Sequence, residues 1–239
     1  MRNLFRSFER FEVDYLLISG QASILYGAAT FSEDVDLWLR PARDNVRRFV
    51  KALAGCQTRI HKLTPPLEMR YLEAGHGFHF VVPSRPLPTY LDVMGMPPRV
   101  NGFAPARRRA RIMETEWGRI PVVSIEDLVA LKLTRRLSDY EVVSNLVQLR
   151  LKEEARPSPS LLRWAARYSF RAEDRAAILR ALGQSPSVPG CRKAILAEIA
   201  RLQARDARYW RVRIAELRRL RRTGALLVQG MPVSRLEAH

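Results

Sequence analysis

Short apolar runs and alternating positions dominate the first half of the chain. Residues 15–18 form a compact apolar run that ends at a Ser-Gly pair, which is typical of a buried strand followed by a turn. Residues 34–39 carry apolar side chains at every second position and predict a second strand. Between the two strands, residues 21–26 predict a short helix that ends at Gly27.

The periodicity changes along the rest of the chain. Residues 45–53 place apolar side chains at i, i+3, i+4 and i+7, which predicts an amphipathic helix. The proline-rich region 57–123 instead predicts strands, and after Ser124 the pattern predicts helices. The expected strands are residues 78–82, 90–93, 112–116 and 120–123, and the main later helices are 160–168, 172–182 and 191–222.

This order of elements predicts an α+β fold, with a mixed β-sheet flanked by helices and an all-α C-terminal region after it. The change of pattern at Ser124 predicts two domains, residues 1–123 and residues 124–239.

Composition places the chain among globular proteins. Apolar residues make up 47% of the 239 residues and charged residues 27%. Apolar runs stay well below the roughly 18 residues that cross a bilayer, and charges interrupt the first twenty residues where a secretory signal would be apolar. Cys56 and Cys191 are too few for a disulfide framework. We therefore expect a cytoplasmic protein with no membrane partner.

The net charge of +17 indicates a polyanionic partner, because the electric field of such a charge attracts polyanions, and nucleic acid above all. Residues 191–222 hold eleven basic and three acidic side chains, with Tyr209 and Trp210 among the arginines. Arginine and aromatic rings together bind phosphates and stack on bases. An amphipathic surface helix with charged flanks explains the same pattern, and the basic cluster at 107–111 leaves the same two alternatives open.

Three aspartates are the main candidates for chemistry. Because strand side chains alternate, Asp34 and Asp36 project from one face while Val35 and Leu37 point to the core. Asp92 has the same arrangement within the strand at 90–93. If the two strands are neighbours, three carboxylates converge, and such oxygen ligands suit one or two Mg²⁺ ions. The alternative is an ordinary exposed strand face that carries acids.

Ser19 and Gly20 join a strand to a helix just before the first acids. A free helix N-terminus offers backbone N–H groups to a phosphate, although the same pair also fits a simple turn. His76 and His79 are poor candidates for one metal site, because positions i and i+3 of a strand point to opposite faces.

Two segments together resemble a known family. LISGQASILYGAATFSEDVDL (residues 17–37) is similar to the signature of small nucleotidyltransferases of the DNA polymerase β superfamily, which have a Gly-Gly or Gly-Ser turn, an Asp-x-Asp strand and a third Asp on a later strand. IPVVSIEDLVALK (residues 120–132) resembles a further element of the AbiEii-type group, which includes type IV toxin–antitoxin toxins. The resemblance covers roughly residues 14–149.

The resemblance implies a nucleotidyltransferase-like sheet and a role for each matching residue. Asp34, Asp36 and Asp92 would bind Mg²⁺, and Asp92 would also help to deprotonate the acceptor hydroxyl. Lys132 would be a fourth catalytic residue, which neutralises the charge of the triphosphate. The residues that would bind the NTP are Ser19, Gly20, Ser32, Lys132 and Asp139. An ordinary surface lysine is the alternative for Lys132.

Three positions depart from the family pattern. Ser19 stands where glycine is usual, Thr30 where arginine is common, and Ser138 where lysine is common. These departures are compatible with a changed nucleotide or acceptor, and equally with a weakened enzyme.

The function implied is transfer of a nucleoside monophosphate from a Mg-NTP to a hydroxyl group. The positive charge favours RNA as acceptor, and the resemblance implies the tRNA 3′ end, a toxin role and an antitoxin partner. The alternatives are transfer to a small molecule or a partner protein, and a catalytically decayed module that binds RNA.

Overall fold

The computed structural model describes residues 1–84 and 86–236. They divide into two compact units. The first comprises Met1–Ala22, Phe31–Ser124 and Arg211–His239, and the second comprises Ser23–Thr30 and Ile125–Trp210. The break at Ser124 lies next to the predicted boundary. Residues 23–30, however, belong to the second unit although they precede this boundary, and the segment 211–239 belongs to the first unit although it follows it.

A seven-stranded mixed sheet forms the first unit, in the order β3-β4-β5-β2-β1-β7-β6. The pairs β2–β5 and β1–β7 are parallel, and the other neighbours are antiparallel. The strands are β1 Tyr15–Ile18, β2 Asp34–Leu39, β3 Arg59–Ile60, β4 Gly77–Val82, β5 Thr89–Met94, β6 Arg111–Thr115 and β7 Gly118–Val122. The six strands other than β3 were predicted to within two residues at most boundaries.

Helices flank this sheet and make up the second unit, which confirms the predicted fold class. They are α1 Arg2–Arg10, α2 Ser19–Leu25, α3 Arg43–Gly55, α4 Met69–Glu73, α5 Phe103–Arg109, α6 Ile125–Leu131, α7 Leu137–Lys152, α8 Pro159–Tyr168, α9 Ala172–Ala181 and α10 Val188–Arg222. The sequence pattern gave no indication of α4 or α5, because both are short and lie among prolines and charges.

The core of the first unit lies between the sheet and α1 and α3. Phe49 of α3 packs against Phe8 of α1 and against Phe80 of β4, with ring centroids 5.7 and 5.9 Å apart. All three rings are fully buried. Burial of large aromatic side chains of this kind stabilises the unit by roughly 2–3 kcal/mol each. The amphipathic pattern of residues 45–53 therefore covers one face of the sheet.

The last segment of the chain returns to the edge of the sheet in the first unit. The Ile60 N–H donates to Met231 O over 2.9 Å, and the Leu227 N–H donates to Thr64 O over 2.9 Å. Isolated β-bridges at the same places fix this segment beside β3. Pairing of this kind protects an edge strand that would otherwise expose its backbone.

The second unit is helical and has its own small core. Ala176 of α9 packs with Cys191 and Ile195 of α10, and all three side chains are buried. The Ser158 hydroxyl caps α8 by accepting from the Leu161 N–H over 3.2 Å, and Pro159 follows at the first helical position. The described residues contain no helix long and apolar enough to cross a bilayer.

Candidate functional site

The predicted acids lie on two adjacent strands of the first unit. In the parallel pair β2–β5, Asp36 lies directly opposite Asp92, and Asp34 lies one strand period before Asp36. Each acid is partly buried and alternates with fully buried apolar residues. Directly paired residues project from the same face of a sheet, and the sheet order meets the condition that the two strands are neighbours.

The Asp92 carboxylate has two basic neighbours in the first unit. His79 of β4 lies opposite Asp92, and its Nδ1 is 2.8 Å from Asp92 Oδ1. Lys62 Nζ, from the loop after β3, is 3.8 Å from Asp92 Oδ2. The side chains of Asp92 and His79 are each about one-fifth exposed. The sequence did not point to His79 or Lys62 as part of the site.

The His79 backbone is held by a buried threonine. The His79 N–H donates to the Thr64 hydroxyl over 3.1 Å, and the Thr64 hydroxyl is 2.7 Å from Lys62 O. Thr64 is fully buried. One hydroxyl group therefore fixes the backbone of both basic neighbours of Asp92.

The two histidines that the sequence argued against as a metal pair have different partners. His76 is fully buried, and its Nε2 lies 2.7 Å from Glu216 Oε2. His79 instead meets Asp92.

The chemistry of the donor set fits a divalent cation. Asp34, Asp36 and Asp92 supply the hard oxygen atoms that Mg²⁺ prefers, and the strand register brings them to one face. Within residues 1–84 and 86–236, however, no three carboxylate, imidazole or thiol side chains are close enough to form a ligand group. Joint ligation therefore requires side-chain rotation, because the Asp92 carboxylate is directed to His79 and Lys62.

Before the acids, Ser19 has a constrained backbone and Ser32 forms hydrogen bonds through its side chain and its carbonyl. Ser19 adopts the left-handed backbone conformation with φ of 59°, at the position where the family resemblance places glycine. The Ser32 hydroxyl donates to Asp34 O over 3.1 Å, and Gln21 Nε2 donates to Ser32 O over 3.3 Å. These contacts bring Ser32, a predicted nucleotide-binding residue, against the first turn of α2.

Gly20 is required by the close approach of Ser32. A Cβ atom at Gly20 would lie 2.2 Å from Ser32 Oγ and 2.7 Å from Ser32 Cβ. We expect Gly20→Ala to lower the free energy of unfolding by about 1–3 kcal/mol, because the turn must open to relieve the overlap. Urea unfolding of the purified variant and of the wild type would measure the difference.

Two further variants make this prediction specific. Gly55→Ala is the matched control, because its added Cβ would meet only Ser7 Oγ, at 4.0 Å, and it should not destabilise the protein. Ser32→Gly in the Gly20→Ala background removes both clashing atoms and should restore most of the loss. An unfolding free energy for Gly20→Ala equal to that of the wild type would contradict the packing argument.

Lys132 and Asp139, the remaining nucleotide-binding candidates, pair with each other in the second unit. Lys132 Nζ lies 3.1 Å from Asp139 Oδ1, and both residues are buried. Thr134 and Arg136 also bind the Asp139 carboxylate. Burial raises the pKa of Asp139, but Lys132, Thr134 and Arg136 outweigh it and hold the pKa below its ordinary value. Lys132 is therefore not the exposed surface lysine that the sequence left as an alternative.

The long basic helix α10 exposes one stripe of arginines. Arg201, Arg205 and Arg208 are exposed at a spacing of i, i+4 and i+7. Tyr209 and Trp210 are partly buried and contact each other edge-on, with ring centroids 5.2 Å apart. This face therefore offers phosphate-binding charge more readily than flat aromatic rings for base stacking.

Asp206 interrupts the apolar stripe of α10 for a structural reason. It is almost fully buried, and its Oδ2 accepts a hydrogen bond from the Arg135 N–H over 3.2 Å. Within the second unit, this contact links the helix to the segment after Lys132. Gln203 Nε2 adds a second link by donating to Arg135 O over 2.9 Å.

Comparison with known proteins gives no family assignment. No protein-family model matches the chain, and no curated protein matches it significantly.

Proposed function

We propose that this chain is a magnesium-dependent nucleotidyltransferase that transfers a nucleoside monophosphate from an NTP to a hydroxyl group of RNA. The observation that supports it most directly is the register of β2 and β5, which sets Asp36 beside Asp92 and Asp34 one strand period away. Ser19 and Gly20, the first two residues of α2, directly follow β1, the strand next to β2. Acids on adjacent strands beside a tight turn fit the family that residues 17–37 resemble.

The reaction would place the acceptor oxygen in line with the α-phosphorus of the NTP. A bond forms between that oxygen and the phosphorus, the bond between the α- and β-phosphates breaks, and pyrophosphate leaves. Asp92 is the proposed acceptor of the hydroxyl proton. The Ser19–Gly20 turn and Ser32 are proposed to orient the phosphates, so that binding energy is used for positioning.

Asp34, Asp36 and Asp92 would hold Mg²⁺, which supplies charge neutralisation to the transferring phosphoryl group. His79 and Lys62 contact the two oxygens of Asp92, and they are proposed to fix its orientation. His79 in particular lies in the same row of the sheet as Asp92 and Asp36.

The net charge of +17 and the exposed arginine stripe of α10 support an RNA acceptor. The tRNA 3′ end, a toxin role, a cytoplasmic location and a cognate antitoxin partner are further proposals that rest on the family resemblance or on composition.

Incubation with each α-labelled NTP, Mg²⁺ and total tRNA tests the reaction. We expect label from at least one NTP to enter RNA, and addition of EDTA to abolish the transfer. Parallel reactions with an aminoglycoside or with a protein mixture test the two other acceptor classes. Absence of labelled product from every NTP and every acceptor would contradict transferase activity.

A second candidate function is RNA binding without catalysis. It is favoured by the contacts of Asp92 with His79 and Lys62, since within the described ranges no three ligating side chains form a metal group. Mg-NTP would then leave the melting temperature unchanged, whereas RNA would bind with a steep dependence on salt concentration.

A further inference from the structure

A groove of about 820 Å³ lies beside α3 in the first unit. Phe49 of α3 packs against Phe80 of β4, and Phe80 alternates along that strand with His79, which faces Asp92. The face covered by α3 is therefore opposite to the face that carries the acids. The groove is a feature that the proposed transferase chemistry does not use.

The groove has a strongly basic rim. Arg43, Arg47 and Lys51 line it at intervals of four residues, and all three are exposed. Among the residues that the structure describes, none of these three forms an ion pair within 4.0 Å, whereas Arg70 is paired with Glu68 over 2.9 Å. Three exposed cations on one helix face are therefore unpaired within residues 1–84 and 86–236.

Apolar side chains, together with the ion pair of Glu68 and Arg70, line the rest of the groove. Val46 and Val50 come from the same face of α3, and Leu67, Met69 and Leu227 come from two other segments. The hydrogen bond from the Leu227 N–H to Thr64 O, 2.9 Å long, fixes one of these segments against the other. This hydrogen bond therefore holds two walls of the groove in place relative to each other.

We propose that this groove binds an acidic, amphipathic segment of a partner protein. An α-helix rises 1.5 Å per residue, so cations four residues apart on α3 are spaced by about 6 Å along its axis. A helical ligand that carries carboxylates at i, i+4 and i+8 presents the same spacing and turns apolar side chains toward the groove.

The lining favours a peptide over RNA. Its described residues are aliphatic or charged, and none has the aromatic ring on which a base would stack. An apolar lining of valine, leucine and methionine instead buries aliphatic side chains well. The charged rim then selects acidic sequences and orients them.

Two fluorescent peptides of equal charge test this inference on the full chain. Both carry glutamates at i, i+4 and i+8, but one has leucines and the other serines at the positions that face the groove. We expect fluorescence anisotropy to show about tenfold or tighter binding of the leucine peptide, with part of its affinity retained at high salt. A single-stranded RNA oligonucleotide is the third probe.

Charge reversal assigns the binding to this groove. The triple variant Arg43→Glu, Arg47→Glu and Lys51→Glu should weaken binding of the leucine peptide by at least about tenfold. The control triple Arg6→Glu, Arg163→Glu and Arg180→Glu changes the net charge equally at exposed positions, and it should leave the affinity near that of the wild type. Val46→Ser, at a partly exposed position of the lining, should weaken binding of the leucine peptide and leave binding of the serine peptide unchanged.

Three outcomes would overturn the inference. They are equal binding of the two peptides, equal loss of affinity in the two triple variants, and a groove variant that loses RNA binding while the leucine peptide is unaffected. The last outcome would make the groove an RNA surface. Nucleotidyl transfer is measured in a separate assay, so failure of this inference and failure of the proposed function are distinguishable.

Discussion

Replacement of Asp36 by asparagine is expected to reduce nucleotidyl transfer by about 100-fold or more. Asp36 lies directly opposite Asp92 in the parallel register of β2 and β5, at the centre of the three acids. Asparagine keeps the shape of the side chain but removes the negative charge that would attract a divalent cation. The initial rate of label transfer to RNA at saturating NTP measures the effect.

The same substitution should not harm the fold. Asparagine keeps the size of the side chain and one of its two oxygens, so we expect the Asp36→Asn variant to stay folded, which its melting temperature checks. Binding of Mn²⁺, followed by electron paramagnetic resonance, should weaken in the same variant. This readout does not depend on knowing the acceptor.

Glu33→Gln is the matched control, because Glu33 is an exposed acid immediately before β2 and carries the same charge. It should keep transfer within about twofold of the wild type. Equal transfer by Asp36→Asn and Glu33→Gln would contradict a role for Asp36, and so would equal binding of Mn²⁺ by the two variants.

Strand register explains why the acids could be predicted from the sequence. Alternation along residues 34–39 assigns Asp34 and Asp36 to one face, and the same alternation assigns Asp92. The sequence does not state that β2 and β5 are neighbours, because they are separated by α3, β3, α4 and β4. The sequence left that step as a condition, and the sheet order shows that the condition is met.

The neighbours of Asp92 differ in how far the sequence could have revealed them. β4 and β5 are antiparallel and joined by a short loop, so a hairpin register places His79 opposite Asp92. A hairpin could be predicted from the sequence, but the strand ends expected at 82 and 90 would pair His79 with Val93, so the exact partner could not. Lys62 is different, because it reaches Asp92 from the loop after a two-residue strand that the sequence pattern did not predict.

The domain assignment shows the same limit. Periodicity along residues 191–222 predicts one helix, and α10 does span Val188–Arg222. It cannot predict that residues from Arg211 onward belong with the sheet, because the contacts that decide this are distant in sequence. The backbone bonds of Ile60 with Met231 and Gly230 are examples.

Lys132 and Asp139 are the residues for which the resemblance and the structure suggest different roles. The resemblance implies contact with the triphosphate, whereas the structure pairs the two side chains with each other inside the second unit. A buried ion pair contributes to stability only while both partners are present. A variant that lacks one partner and a variant that lacks both therefore separate a structural role from a catalytic one.

Asp139→Asn is expected to lower the free energy of unfolding by about 3–5 kcal/mol, because it leaves the buried Lys132 ammonium without its carboxylate. Replacement of both partners, by Lys132→Met with Asp139→Leu, should cost much less, since two apolar groups need no partner. Urea unfolding at pH 7 measures both variants. If Lys132 also contacts the NTP, the double variant stays folded and loses transfer.

The pKa of Asp139 predicts how the difference in unfolding free energy between the wild type and Asp139→Asn depends on pH. Its pKa in the folded protein is held below the ordinary value, so the carboxylate stabilises the fold fully above about pH 4, the pKa of an unfolded aspartate. As the pH falls through the lower folded value, that contribution is lost. The stability gap between the wild type and Asp139→Asn should therefore be constant from pH 7 to pH 5 and shrink toward pH 3. A gap that widens in acid would mean that the Asp139 carboxylate does not stabilise this fold through its charge.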